Sequence, residues 1–190
     1  MKEHLRVLGI DDSPFRFGNK ETLVVGVVMR LPAYVEGVLS AKCAVDGGDA
    51  TDVLVGMVDR SRFKEQLRLV MIDGVAIGGF NVVDIDEMHA ATGIPIATVT
   101  RDPPDLVRIR SALEKHFPDH ERRFEIIARK PLRPVATEHK PILVSLAGIE
   151  MDEAAPLIQK SIVRGAVPEP IRVAHIIASG MTYGESRGKA

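Results

Sequence analysis

Three aspartates stand where stretches of predicted strand come to an end. Asp11 follows the stretch 5–10, Asp46 follows the stretch 34–45, and Asp73 follows the stretch 69–72. A buried strand that ends in an acid is a common way for open α/β sheets to present chemistry to solvent. If these ends meet, several carboxylates share one site, and their mutual repulsion favours a bound cation.

A shared carboxylate site suits Mg²⁺, or Mn²⁺ in its place, because hard divalent ions bind carboxylate oxygens and keep several waters. Such ions promote phosphoryl displacement, so the sequence predicts phosphodiester hydrolysis with Asp11, Asp46 and Asp73 as metal ligands and catalytic residues. Asp46-Gly47 and Asp73-Gly74 are also common turn dipeptides. Turns and helix caps are therefore the alternative interpretation of these acids.

Two further places in the sequence could take part in such a site. His175 lies near Arg172 in an otherwise apolar turn of a predicted last helix, so it is either a half-buried core histidine or a catalytic one. Ser186 and Arg187 lie between glycines, where backbone N–H groups could approach a phosphate. A disordered terminus is the alternative for that pair.

The hydrophobic pattern predicts the elements that position these residues. Strands at 5–10, 21–29 and 34–45, separated by short breaks, predict an antiparallel meander. Helices and strands then alternate, with helices near 53–58, 84–92, 105–116, 152–163 and 171–179, strands at 69–73, 94–99 and 141–146, and strand pieces near an edge in the basic segment 122–140. The predicted fold is α/β, a mixed sheet close to the ribonuclease-H-like plan with helices on both faces.

Length and composition predict one domain over residues 1–190, with 180–190 as a flexible tail. The 190 residues are 45% hydrophobic and 27% charged, which is enough for one well-filled core. No apolar run reaches the roughly 20 residues of a bilayer span, and 1–4 is not the start of a signal peptide. We therefore expect a cytoplasmic protein without a membrane partner. The single cysteine, Cys43, is expected to be a small core residue in a reducing compartment.

Charge and motifs narrow the class of function. The net charge of −1 gives no overall basic excess, although charge can still be segregated by face. The sequence contains no phosphate-cradling Walker pattern, no His-Glu-x-x-His zinc motif and no cysteine pair with zinc spacing. We therefore expect neither a nucleotide triphosphate nor zinc as a ligand, and the sequence does not indicate an oligomeric state.

Several short motifs, taken in order, resemble the endonuclease dU family, an archaeal family related to endonuclease V. They cover nearly the whole chain and comprise the stretches 9–12, 46–51, 72–74, 79–81, 168–175 and 184–188. The resemblance implies a ribonuclease-H-like fold and a Mg²⁺-dependent endonuclease that cuts DNA near deoxyuridine or another deaminated base. The acidic residues that the resemblance implies as metal ligands match this sequence most directly at Asp11 and Asp73.

The segment 34–43 is similar to an endonuclease V segment that ends in Arg-Glu, and here Cys43 stands in the place of that acid. Asp46, three residues further on, is the candidate replacement. In this hypothesis Asp12 and Asp49 assist the site, and Arg172, Ser186 and Arg187 contact nucleic acid. The alternative hypothesis is a non-catalytic module that binds nucleic acid or protein and retains the fold without the second acid.

Overall fold

A computed structural model describes residues 5–16 and 18–187, which contain nine strands and six α-helices. The strands are β1 (Arg6–Asp12), β2 (Glu21–Arg30), β3 (Tyr34–Ala44), β4 (Leu67–Asp73), β5 (Ala76–Ile77), β6 (Asn81–Val82), β7 (Ile96–Thr100), β8 (Arg133–Val135) and β9 (Ile142–Ala147). The helices are α1 (Ala50–Asp59), α2 (Ile85–Thr92), α3 (Leu106–His116), α4 (His120–Arg129), α5 (Met151–Lys160) and α6 (Glu169–Tyr183).

Seven of the strands form one mixed sheet in the order β3-β2-β1-β4-β7-β9-β8. The first three strands pair antiparallel, which confirms the predicted meander. β4 lies parallel to both β1 and β7, whereas β9 is antiparallel to β7 and β8. A separate hairpin of β5 and β6 follows β4 in the chain. Because the central strands β1 and β4 are parallel, their carboxyl ends lie side by side at the same end of the sheet.

Successive residues of the central strands enter two different cores, because side chains alternate across a strand. Leu8 and Ile10 of β1 pack in the core that contains Leu54 of α1. Val7 packs in the core that contains Ile158 of α5 and residues of α6. Helices therefore cover both faces of the sheet, as predicted.

Helix α6 lies against β1 at Gly9. A Cβ atom built on Gly9 would lie 2.3 Å from the backbone carbon of Pro170 and 2.4 Å from the backbone nitrogen of Ile171. Any side chain at this position would push the helix away from the strand. Glycine here allows a close approach that brings the middle of α6 to the end of β1.

The prediction for the basic segment 122–140 was wrong in its first half. That part lies in α4, whereas the short edge strand β8 confirms the expected strand piece beyond it. Pro131 and Pro134 obscured the helix because the stretch looked broken throughout.

The last helix continues beyond its predicted end. α6 reaches Tyr183 and ends at Gly184, whose φ of 77° is the left-handed conformation usual after a helix. The first four residues of the predicted tail are therefore helical, and 188–190 lie outside the described residues. Within the described part of the chain, no helix has the length and hydropathy needed to cross a bilayer.

Replacing Gly9 by alanine tests the contact between α6 and β1. Gly9→Ala should lower the free energy of unfolding by about 3 kcal/mol, because the new methyl group overlaps backbone atoms that cannot rotate away. Urea unfolding followed by far-UV circular dichroism measures this, since the chain has no tryptophan. Gly48→Ala is the matched control, because a Cβ there meets no atom within 4 Å. Equal midpoints for the two variants would contradict a tight contact.

Candidate active site

Asp11 and Asp73 lie side by side at the ends of β1 and β4. These strands are parallel and Ile10 pairs with Ile72, so the next residue of each strand is its aspartate. Adjacent strands are about 4.8 Å apart. Asp11 lies two residues after Gly9, and Asp73 lies two residues after Met71. Side chains two residues apart in a strand share a face, so both aspartates lie on the face covered by α6. The structure thus brings two of the three predicted acids together.

His175 of α6 completes this group. Its Nδ1 lies 2.8 Å from Oδ2 of Asp11, and the other oxygen of Asp11, Oδ1, accepts a hydrogen bond of 2.8 Å from the backbone N–H of Asp12. The second ring nitrogen of His175, Nε2, is buried and has no hydrogen-bond partner among the described residues. A buried polar atom normally has a hydrogen-bond partner. The unpartnered Nε2 therefore indicates that a ligand or a water molecule binds at this site.

Burial raises the pKa of Asp11 to about 7, and the nearby charges of Asp73 and Asp12 add to this shift. The hydrogen bond and charge of His175 act in the opposite direction. Burial also raises the pKa of Asp73, against the opposing effect of Arg101 and His175. The group therefore tends to retain protons near neutral pH when no cation neutralises it.

Asp12 projects from β1 towards the opposite face of the sheet. Its Oδ2 accepts a hydrogen bond of 3.1 Å from the backbone N–H of Gly78, in the loop between β5 and β6. Burial raises the pKa of Asp12 and this hydrogen bond lowers it. Asp12 thus contributes charge next to Asp11, and its carboxylate is held by the hairpin.

Cys43 is buried, as predicted for a core residue. Burial raises the pKa of its thiol to about 12, and the charges of Asp49 and Asp12 act in the same direction. The thiol therefore stays protonated at neutral pH and is a poor nucleophile and a poor metal ligand. It does not replace the acid that the family resemblance led us to expect there.

Asp46 lies in a turn, and among the described residues it forms no group with Asp11 and Asp73 that is arranged to hold a metal ion, unlike the predicted triad. Its Oδ1 accepts a hydrogen bond of 2.8 Å from the backbone N–H of Phe80, and its own N–H donates to the carbonyl of Gly78 at 2.7 Å. Its φ of 56° is left-handed, a conformation that aspartate tolerates better than most residues. The alternative interpretation of Asp46-Gly47 as a turn was the correct one.

Asp49 and Arg172, predicted to assist the site or contact nucleic acid, both have partners within the chain. Asp49 accepts hydrogen bonds from the backbone N–H of Ala44 at 3.2 Å and from the side-chain amide of Asn81 at 2.6 Å. Arg172 forms two hydrogen bonds with Glu169, one turn earlier in α6. Asp49 therefore organises the start of α1, while Arg172 remains 40% exposed on the helix that carries His175.

The tail is anchored next to the site. Ser179 is fully buried, and its hydroxyl accepts from the backbone N–H of Arg187 at 2.9 Å and donates to the carbonyl of Arg187 at 3.0 Å. The guanidinium of Arg187 lies 5.8 Å from the centre of the Tyr183 ring. Ser179 is one turn beyond His175, so the backbone of Arg187 is held on α6 about one turn from His175, and Ser186 beside it is exposed.

The sequence assigned no role to Arg123 and Gly78, which connect loops around the site, and it singled out Asn81 only within the stretch 79–81 of the family resemblance. Arg123 donates to the backbone carbonyls of Phe80 and Asp46, and Asn81 joins two loops through its side chain. The glycine pair at 78–79 was a usable signal for a tight turn. Arg123 carried no such signal, because it stood among other basic residues in a segment without a recognised helix.

A cavity of about 160 Å³ opens at Gly74, the residue after Asp73, on the opposite face of the sheet from His175. One water molecule needs roughly 10–15 Å³ of cavity volume. The cavity can therefore hold a group of about ten non-hydrogen atoms. Its lining is mostly apolar, with hydroxyl groups from the sheet and four charged residues at its wall; it includes Val75, Val83, Ile127, Thr98, Thr100, Ser145, Asp84, Asp86, Arg129 and Lys130.

The carboxylates fit a hard divalent cation in part. Among residues 5–16 and 18–187, no group of three His, Cys, Asp or Glu side chains is arranged to hold a metal ion. Mg²⁺ is commonly bound by only one or two carboxylates together with waters and substrate phosphate. The neighbouring carboxylates of Asp11 and Asp73 agree with that donor set.

The mixed sheet, its two helical layers and the acids at the ends of β1 and β4 define a ribonuclease-H-like α/β protein. Human endonuclease V shares this fold with a TM-score of 0.59, 17% identity, and coverage of 92% of this chain and 83% of that chain. Ciona intestinalis endonuclease V, crystallised with a 24mer DNA containing an inosine followed by a ribo-adenosine, gives a TM-score of 0.58 at 12% identity, covering 90% and 83%.

The model of the endonuclease dU family matches residues 3–182, so the chain belongs to this family. A UPF0215 protein from Methanothermobacter thermautotrophicus is 46% identical over 191 residues, covering 100% of this chain and 94% of the relative. A crystal structure of a protein of unknown function from Archaeoglobus fulgidus has a TM-score of 0.84 and 37% identity, covering 93% and 98%. Family and fold together point to a nuclease-type hydrolase.

The pKa of Asp11 predicts how stability depends on pH. The folded pKa of about 7 exceeds the ordinary 3.8, so the stabilisation linked to this group is fully present below pH 3.8 and is lost as pH rises through 7. Asparagine does not ionise, so Asp11→Asn should not lose this stabilisation as the pH rises. The free energy of unfolding of the variant should exceed that of wild type at pH 8 by about 1–3 kcal/mol. Urea unfolding across pH 4–8 in EDTA measures the difference.

Asp152→Asn is the control for this comparison, because Asp152 is exposed on α5. Its stability profile should run parallel to that of wild type. If the Asp11→Asn profile were also parallel, Asp11 would be ionised across the whole range and its burial would have no effect on its pKa.

Proposed function

We propose that this protein is a metal-dependent endonuclease that hydrolyses DNA phosphodiester bonds near deoxyuridine or another deaminated base, with a role in DNA repair. The observation that carries the proposal is the pairing of Asp11 and Asp73 next to His175, whose Nε2 is buried without a partner. Two acids and a histidine on rigid elements are suited to phosphoryl transfer, which depends mainly on positioning and electrostatics.

Asp11 and Asp73 are the residues that would hold Mg²⁺, or Mn²⁺. A bound ion supplies Lewis-acid chemistry at the phosphoryl group and lowers the pKa of water. Asp11 also orients His175 through the hydrogen bond between its carboxylate and Nδ1, which leaves Nε2 as the ring nitrogen available to the site. Nε2 is then placed to take a proton from water as a general base.

Exposed groups at the rim support nucleic acid as the partner. Arg172 lies on α6 one turn before His175, and Arg187 is held next to α6 by Ser179. Guanidinium groups bind phosphate oxygens with two parallel hydrogen bonds. The Ciona endonuclease V complex with inosine-containing DNA supports DNA and a deaminated base as the substrate.

The cavity at Gly74 supports selection of a base. Enzymes that act on one nucleotide of a strand commonly move it out of the stack into a pocket that contacts both its edge and its faces. Val75 and Val83 offer apolar contacts, while Thr98 and Ser145 offer hydroxyl groups for a base edge. Because uracil and hypoxanthine carry a carbonyl where their parent bases, cytosine and adenine, carry an amino group, hydroxyl groups that can donate a hydrogen bond suit their recognition.

A non-catalytic module that binds nucleic acid or protein is the second candidate function. It is favoured by the position of Asp46, since the described residues contain no group of three acids that could hold a metal ion, and by Cys43 at the place of the expected acid. In this case the fold and the rim arginines serve binding alone. A cleavage assay separates the two functions.

Labelled oligonucleotides that contain one deoxyuridine, one deoxyinosine or neither test the proposal. The purified protein should cut the modified strands in Mg²⁺ or Mn²⁺, and EDTA should abolish cleavage, because the acid pair requires a cation. Asp11→Asn and Asp73→Asn should each lower the rate at least about 100-fold, and His175→Ala should lower it about 100-fold. Single-turnover cleavage measured on denaturing gels gives these rates.

Asp152→Asn again serves as the control that changes an acid outside the site. Absence of cleavage under all conditions, with binding to DNA retained, would support the non-catalytic module. Equal rates for wild type and for both Asp11→Asn and Asp73→Asn would contradict the assigned site even if cleavage occurred.

Filling the cavity tests its proposed role in base selection. Ser145→Leu places a larger apolar side chain in the cavity, so the ratio of kcat/KM for deoxyuridine over undamaged DNA should fall about tenfold. Ser145→Ala is the matched variant, because it removes the hydroxyl group without filling space. An unchanged ratio in Ser145→Leu, with the fold intact by circular dichroism, would show that the cavity does not hold the base.

A further inference from the structure

The loop between β5 and β6 contacts the acidic group but has little structure of its own. Each strand of this hairpin has two residues, and Gly78 and Gly79 both have positive φ. An isolated hairpin of this length is not stable in water. Contacts with other parts of the chain must therefore determine where the backbone N–H of Gly78 lies, and with it the carboxylate of Asp12.

Asp46 holds this loop from one side. Its carboxylate accepts from the backbone N–H of Phe80, and its backbone N–H donates to the carbonyl of Gly78. The fit is close, because a Cβ on Gly79 would lie 2.3 Å from Oδ1 of Asp46. Asp46 thus fixes the loop at two points on either side of Gly79.

Arg123 of α4 holds the loop at Phe80 and the turn at Asp46 together. Its Nη1 donates to the carbonyl of Phe80 at 2.6 Å and to the carbonyl of Asp46 at 3.1 Å. Its Nε donates to Asp119 at 2.9 Å, and its guanidinium lies 4.3 Å from the centre of the Phe117 ring. The side chain is only 11% exposed, so these contacts replace most of its hydration.

A continuous chain of hydrogen bonds thus links α4 to the acids. It runs from Arg123 to Phe80 and Asp46, from Asp46 to the carbonyl of Gly78, and from the N–H of Gly78 to Asp12. We propose that Arg123 is a positioning residue that, together with Asp46, holds the loop 78–80 against Asp12 and so sets the geometry of the neighbouring acid pair. The effect on turnover rests on the proposed function, whereas the effect on the loop does not.

Amide hydrogen exchange and kinetics of Arg123→Ala test this inference. The amides of Gly78 and Phe80 should exchange at least about tenfold faster than in wild type, while those of the central strands stay protected. The kcat for the modified DNA should fall roughly 10- to 100-fold with KM within about twofold, because misplaced groups slow chemistry more than binding. Arg108→Ala is the matched control, since that guanidinium is 88% exposed on α3 of the same helical pair.

Asp46→Asn provides the second variant. Asparagine keeps an oxygen that accepts from Phe80 and tolerates the left-handed backbone, so the Phe80 amide should stay protected, whereas Asp46→Ala should expose it. Loss of turnover in Asp46→Asn with the amide still protected would show that Asp46 acts through its charge and not through the loop, and would overturn the inference. Unchanged exchange and kcat in Arg123→Ala would also overturn it.

The two proposals fail in different ways. If wild type cuts no substrate, the proposed nuclease function fails, and the exchange rates of Gly78 and Phe80 alone decide whether Arg123 holds the loop. Faster exchange in Arg123→Ala then supports the positioning role, and unchanged exchange overturns it.

Discussion

The close approach of α6 to β1 is the constraint on which the rest of the site depends. Because Gly9 has no side chain, the start of α6 lies directly on the strand, and the helix then carries His175 to Asp11, 164 positions earlier in the chain. The pairing of β1 with β4 adds Asp73 to the same face. Two contacts therefore assemble these three residues: the packing of α6 on β1 and the pairing of β1 with β4. Both contacts lie in the rigid centre of the sheet and not in loops.

The acids that meet there cost the folded state free energy. Burial raises the pKa values of Asp11, Asp12 and Asp73, and repulsion from neighbouring carboxylates adds to the shift at Asp11 and Asp12, so the folded protein tends to bind protons that the unfolded chain releases. Proteins keep such unfavourable groups mainly where function requires them. The electrostatics thus support a site independently of the family assignment, and they do so at the edge of the sheet where parallel strands present their carboxyl ends.

Much of the fold and two of the three proposed acids of the site could be predicted from the sequence. Apolar periodicity located the meander, the central strands and most helices, and the position after a strand identified Asp11 and Asp73. The same rule failed at Asp46, because an acid after a strand looks alike whether it faces a site or closes a turn, and only the backbone angle of 56° distinguishes the two. Arg123 could not be predicted, since its role depends on contacts between segments 43 and 77 residues apart in sequence.

The anchored tail has a practical consequence for work on this protein. Ser179 binds the backbone of Arg187 next to the last turns of α6, so Arg187 is held about one helical turn from His175. A polyhistidine affinity tag fused soon after Arg187 would tether metal-binding imidazoles to this part of the helix and would compete for metal in titrations. Arg6, at the start of β1, lies five residues and about 17 Å along the strand from Asp11. Affinity tags for functional measurements therefore belong at the amino terminus.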